Sequence, residues 1–247
     1  MNRQTYEAVD AGASREAFMA GIRSALGRAR TKVPSQALPD VDESIVRLAG
    51  AEDDLVGMFE QRAQEVGMVV HRLRQDQRID KIKALLDEHG ARRVVVNVGE
   101  GVERGKRGSG RNRSLGELGQ HLADAGYKLI EIGGREGLDR QFDADAGITD
   151  VQAALSETGT MICTSSSMHS RGPSLVPQLH IAIVRHHDIL PDMIDYWQRL
   201  KGLAHTDLPS SISFITGPSK TADIENILIT GVHGPKHVHI LIVEEGA

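Results

Sequence analysis

Cysteine is almost missing from this chain: Cys163 stands alone among 247 residues. One thiol cannot close a disulfide within the chain, and it cannot supply the sets of thiolates that hold a zinc ion or an iron–sulfur cluster. Aromatic side chains are scarce too, at 3%, so the core is expected to be aliphatic and the stacking platforms that grip single-stranded nucleic acid are lacking. A formal charge of −5 and a sequence pI near 6.1 leave no overall basic footprint for nucleic acid. No apolar run reaches the roughly eighteen residues that a membrane-crossing helix needs. The N-terminus does not show the basic-then-apolar order of a secretory signal, so a cytoplasmic protein is expected.

With 40% hydrophobic residues, the chain can bury one sizeable α/β core. The first fifty residues read differently from the rest. Ser14 can cap a helix whose Phe18, Met19, Ile22, Ala25 and Leu26 form an apolar stripe, and the segment TKVPSQALPD that follows has two prolines and no periodicity. The expected organisation is an N-terminal helical arm and linker over 1–50 and an α/β domain over 51–247. The arm's stripe has to be covered, either by its own domain or by a neighbouring subunit, which leaves a homo-oligomer open.

From residue 51 the chain alternates as βαβ units do. Glu52, Asp53 and Asp54 suit the first turn of a helix that Gly67 ends. A strand is expected over 68–73, a second helix through Ile79, Ile82, Leu85 and Leu86 closed by Gly90, and a buried strand over 93–98. Ser114 and Glu117 make a capping box for a third helix, ended by Gly126 before the strand YKLIEI. This rhythm predicts a mainly parallel sheet flanked by helices, with ligands at the carboxyl ends of its strands. The stretch GEGVERGKRGSGRNRS, a basic Gly/Arg-rich loop covering 99–113, has the wrong spacing for a Walker loop: five residues separate Gly99 from Gly105, and Arg107 follows Lys106. It reads as a solvated loop, a cover for an anionic ligand, or a nucleic-acid contact.

Chemistry concentrates at 211–243, which reads strand, turn, helix, turn, strand, with a Gly-Pro pair in each turn. Gly217, Ser219, Lys220 and Thr221 are placed to bind a carboxylate or another anion at a helix start, Lys220 supplying charge and the hydroxyls direction. The competing reading is a plain helix cap, with Asp223 and Glu225 complementing the dipole. Arg171 and Ser174 offer a second anion contact. His233, between Gly231 and Gly234, is a candidate for ligand contact or acid–base work. His237 and His239 share a strand face but lack a suitably spaced acidic partner, so no metal is assigned. His186 and His187 are expected at the surface. Glu157, in SETGT, can act as base or nucleophile or can bind the adjacent turn.

DVQAALSETGTMI, RGPSLVPQLHIAIV, TGPSKTADIE and GVHGPKHVHILIV, in that order, resemble the successive signatures of the LUD-domain proteins, the LutC/YkgG lactate-utilisation family. Gln178 departs from that pattern where a second proline is common, and the 99–113 loop is longer and more basic than the pattern. The resemblance implies a fold similar to the NagB/RpiA/CoA-transferase group and a part in oxidising L-lactate to pyruvate beside iron–sulfur partner proteins. The setting of Glu157 is similar to the Ser-Glu-Asn-Gly stretch that holds the nucleophilic glutamate of some CoA transferases. The expected pocket has three walls, SETGT, GPSKT and GVHGP: Glu157 and His233 are its catalytic candidates, and Thr158, Gly159, Thr160, Arg171, Gly217, Ser219, Lys220 and Thr221 its anion or carboxylate contacts. Its cofactor is left unassigned. An accessory subunit of a lactate system, an independent enzyme acting on an acyl-CoA or phosphorylated small molecule, and a non-catalytic interaction protein are the three functions that fit.

Overall fold

The computed structural model describes residues 14–27, 42, 45–50, 52–97, 117–130, 139–165, 170–201, 203, 208–221 and 229–244. The chain divides into two units, Met1–Glu43 and Ser44–Ala247. In the first, α1 (Arg15–Ala25) begins at Ser14, whose Oγ accepts a hydrogen bond from Ala17 N at 3.2 Å. Phe18, Ile22 and Leu26, the expected stripe, are exposed.

The second unit is built on a six-stranded, all-parallel sheet of β1 (Val69–Arg74), β2 (Arg93–Asn97), β3 (Lys128–Ile130), β4 (Ala146–Asp150), β7 (Leu179–Arg185) and β12 (His237–Glu244). The order across it is β1-β12-β7-β4-β2-β3, so the last strand of the chain lies beside the first. Helices α2 (Leu55–Glu65), α3 (Arg78–Glu88), α4 (Glu117–Asp124) and α5 (Met193–Lys201) are the described α-helices of this unit.

Strand β7 shows why both faces are covered. Its Leu179, Ile181 and Ile183 pack into one cluster with Ile82, Leu85 and Leu86 of α3 and Leu118 and Leu122 of α4. The alternate Ala182 and Val184 join a second cluster with Phe59 and Ala63 of α2 and Met161. Strand geometry sends successive side chains to opposite faces, so a continuous apolar run is the signature of a sheet buried on both sides. Full burial of a side chain such as Phe59 contributes about 2–3 kcal/mol.

A second sheet, β8-β5-β6-β9, lies on the α2 side. It consists of β5 (Ala153–Leu155), β6 (Thr160–Ser165), β8 (Ile189–Leu190) and β9 (Ser211–Ile215), with β5–β6 and β6–β9 antiparallel. Its strands are short and its pairing is mixed, which the βαβ rhythm did not announce. A third, two-stranded piece pairs β10 (Lys220–Thr221) with β11 (Ile229–Thr230).

One local detail corrects the sequence reading, one adds to it and one agrees with it. Glu52 and Asp53 stand ahead of α2, and Asp54 is its cap, accepting from Gly57 N at 2.9 Å; a carboxylate there satisfies an otherwise orphaned N–H. In α5 the buried residues are Tyr196 and Leu200, while Met193 and Trp197 are exposed, because the helix presents the Tyr196 stripe to Leu155, Ile162 and Leu190. Gly67, Gly90 and Gly126 end their helices with φ of 96°, 64° and 88°, left-handed values that glycine adopts without a Cβ penalty. The Ser114 capping box, the 99–113 loop and the helix expected through Ile224, Ile227 and Leu228 lie outside the described residues.

Candidate functional site

SETGT is the turn of the β5–β6 hairpin. Its backbone is held at both ends: Ser156 N donates to Leu190 O (2.8 Å), Glu157 N to Pro191 O (3.1 Å) and Gly159 N to Leu155 O (2.9 Å). Ser156 Oγ donates to Leu55 O at 2.9 Å, tying the turn to the start of α2. Gly159, at φ +66°, lies so close to α2 that a Cβ there would collide with Ala63 N. Only glycine permits that approach. The hydroxyls of Thr158 and Thr160 are 2.7 Å apart, and Thr160 Oγ1 is 2.7 Å from Thr216 Oγ1, just beyond β9.

Thr216 leads directly into GPSKT, so this hydroxyl chain joins the first expected wall to the second. Gly217 lies against Val66 O at the end of α2. Lys220 is exposed, and its Nζ donates to that same carbonyl at 3.1 Å, placing its charge on the helix C-terminus. The second and third walls are joined by backbone: Ser219 N donates to Pro235 O (2.9 Å), and Gly231 N donates to Ser219 O (2.8 Å). Lys220 pairs with Thr230 and Thr221 with Ile229; the helix expected to follow Thr221 lies outside the described residues.

RGPSLVPQ comes up to the same place. Lys236 N and His237 N both donate to Gln178 O, at 2.9 and 3.0 Å, and Gln178 Nε2 donates to Gly231 O at 3.3 Å. Gln178 and Lys236 immediately precede β7 and β12, which pair in parallel from Leu179↔His237. GPSKT, GVHGP and RGPSLVPQ therefore gather at the amino ends of the central strands, whereas ligands were expected at the carboxyl ends. The reason is the topology: both loops enter their strands on that side. Arg171 is exposed at the turn, but Ser174 is buried with its Oγ donating to Arg171 O at 3.0 Å, so that hydroxyl serves the turn itself.

Glu157 looks elsewhere. It is half-buried beside Asp192 and Arg47, and its carboxyl is pushed up from the usual range, first by burial and then by the Asp192 charge, with Arg47 opposing. Arg47 Nη1 lies 3.0 Å from Asp192 Oδ2 and 2.6 Å from Asp195 Oδ2. Asp192 is buried and caps α5, its Oδ1 accepting from Ile194 N and Asp195 N at 2.8 and 3.1 Å. Among the described residues no hydrogen bond joins Glu157 to His233, which is exposed in its turn. The site thus has two neighbouring parts, a hydroxyl and backbone cradle around Thr160, Thr216 and Ser219, and an acidic part around Glu157. Arg47, Asp192 and Thr216 were not singled out from sequence; the Pro191-Asp192 pair ahead of a helical stripe was a usable cap signal for the second.

On the sheet face beneath the second sheet, His180 Nε2 is 2.9 Å from Thr149 Oγ1, which is 3.9 Å from Cys163 Sγ. Burial lowers the His180 pKa to about 4 and raises the Cys163 thiol to about 12, so both are neutral at pH 7. His180 Nδ1 has no hydrogen-bond partner among the described residues.

A family model described as the LUD domain matches residues 56–243. Lactate utilization protein C of Halalkalibacterium halodurans is 30% identical over 237 residues, covering 94% of this chain and 98% of that relative. Lactate utilization protein C of Bacillus subtilis is 40% identical over 112 residues, 44% of this chain and 47% of the relative. Protein YkgG of Escherichia coli is 36% identical over 114 residues, 45% and 49% of the two chains. In fold, the chain is similar to the crystal structure of a DUF162 family protein from Deinococcus radiodurans, with a TM-score of 0.53 and 23% identity over 76% of this chain and 96% of that one.

Proposed function

The chain belongs to the LUD-domain family, and from that footing we propose that it acts in lactate utilisation as the subunit without iron–sulfur clusters, binding a small carboxylate such as L-lactate or pyruvate. The observation that carries the reading is the 2.7 Å contact of Thr160 with Thr216, which draws hydroxyls and backbone from SETGT and GPSKT into one cradle. In it the carboxylate meets Thr158, Thr160 and Ser219, with Lys220 as the cation of the GPSKT strand. Oxidation of lactate to pyruvate releases two electrons and two protons. Glu157, a carboxyl whose proton affinity is raised, takes one of them as base, and the other is released to solvent. The electrons pass to clusters on partner proteins, since a lone cysteine cannot hold one here.

Lactate-dependent dye reduction in cells with and without the protein tests the role, and titration of the purified chain with L-lactate and pyruvate tests the cradle. Undiminished lactate oxidation in cells lacking the protein would sink the reading. An independent enzyme acting on an acyl-CoA is the second reading, supported by the partial exposure of Glu157 on a hairpin turn. It requires Glu157→Gln to abolish turnover of a CoA ester that the wild type hydrolyses or transfers.

A further inference from the structure

Four histidines from three elements meet on the α3 side of the sheet. His239 of β12 is buried and turns one ring nitrogen to each of two neighbours. Its Nδ1 is 3.1 Å from Nε2 of His71 on β1, the rings parallel to within 1°, and its Nε2 is 3.1 Å from Nε2 of His89, the cap of α3. His237 lies against the His89 ring, with centroids 4.7 Å apart. Because His239 spends its two nitrogens on different neighbours, the arrangement suits a string of hydrogen bonds and not one shared metal ion.

Counting hydrogens defines what the string tolerates. Each N···N contact accommodates one hydrogen, so the four facing nitrogens hold two, and the two outer nitrogens, Nδ1 of His71 and of His89, hold one each. Three neutral imidazoles carry three hydrogens, which fit. One added proton fills the last outer nitrogen. A second added proton forces two N–H groups to face each other and places like charges side by side in a partly buried setting.

We propose that His71, His239 and His89 are a proton-counting clasp that holds the edge strand β1 and the C-terminal end of α3 onto β12 at neutral pH and opens when a second proton arrives. The surroundings favour opening. Lys81 of α3 and Lys236 ahead of β12 add positive charge, and Glu88 of α3 is the opposing acid. Leu179 and Ile181 of β7, the residues paired with His237 and His239, contribute no charge. Burial first, then His71, His89, His237 and Lys81, push His239 down to about 4, and burial and Lys81 lower His71. The unfolded chain therefore binds more protons than the folded one below the ordinary imidazole value near 6.5, and the clasp's stabilisation, complete above that value, is lost as pH falls toward about 4.

The decisive comparison is urea unfolding of the full chain and of the double variant His71→Gln/His89→Gln between about pH 7.5 and about pH 5. A glutamine amide turns to donate or accept as His239 requires and takes no proton. The expected result is that acidification raises the unfolding constant of the wild type roughly tenfold more than that of the double variant. Curves that run parallel overturn the proposal. Should the double variant fail to fold, proton NMR of the wild type still decides: second proton uptake by these rings must coincide with loss of the β1 and α3 amide signals. Titration of all three rings with those amides unchanged overturns it.

Discussion

The Thr160 hydroxyl lies 2.7 Å from the Thr216 hydroxyl, 56 residues further along the chain, and Thr158 extends the same chain of oxygens. Two segments that are unremarkable apart become one polar wall at the end of α2. Thr160→Val removes the central oxygen while keeping the β-branched shape, so β6 stays formed. The expected loss is about 1–2 kcal/mol in urea unfolding, since two hydroxyls lose their shared partner. Calorimetric titration with L-lactate or pyruvate should show weaker binding than wild type, and equal binding would separate the cradle from the carboxylate.

Gly159 is the point where the hairpin meets α2. Gly159→Ala combines a left-handed φ with a Cβ driven against Ala63 N, and roughly 2–4 kcal/mol of stability should be lost. Gly21 of α1 has open space where its Cβ would stand and serves as the control: Gly21→Ala is expected to raise the helicity of α1, read by circular dichroism, with no steric cost.

The acidic part of the site has a definite sign of pH dependence. Glu157 is raised in the folded chain by burial and by Asp192, so the folded state keeps this proton to higher pH than the unfolded one. Its favourable contribution is present below the unfolded value and is lost as pH rises through the folded one. Glu157→Gln, neutral throughout, should gain stability relative to wild type as pH rises from about 4 to about 7. A constant difference across that window would remove Glu157 from acid–base consideration. Arg47→Ala should act in the opposite direction by leaving Asp192 buried without its arginine, at a cost of roughly 2–4 kcal/mol.

Cys163 is buried with its thiol raised to about 12. Thiolate is the reactive form, so iodoacetamide at mildly alkaline pH should leave the native protein unmodified and label it fully in urea. Rapid labelling of the native chain would show that β6 opens readily.

The local grammar of the chain was legible. RVVVN became β2, the Ile82, Leu85 and Leu86 stripe became the buried face of α3, and Ser14 capped α1. The Gly-Pro turns of GPSKT and GVHGP did adjoin one another, and SETGT did reach Thr216, the residue ahead of the first. What could not be read was direction and company. Ligands were expected at the carboxyl ends of the strands, whereas GPSKT, GVHGP and RGPSLVPQ gather at the amino ends, and Glu157, expected to share a pocket with His233, is set against Arg47 and Asp192.

By itself, then, the sequence determined which segments become helix or strand and which residues crowd the turns, because those outcomes depend on neighbours a few positions away: helical stripes repeat every three or four residues, strand faces every two, and glycine is favoured wherever φ must turn positive. Only the tertiary structure decided the order β1-β12-β7-β4-β2-β3, the meeting of Thr160 with Thr216, and the string in which His239 touches His71 and His89 across 168 and 150 residues. Such contacts form only when long loops close and distant strands align, so they depend on the whole chain and leave no local pattern to read.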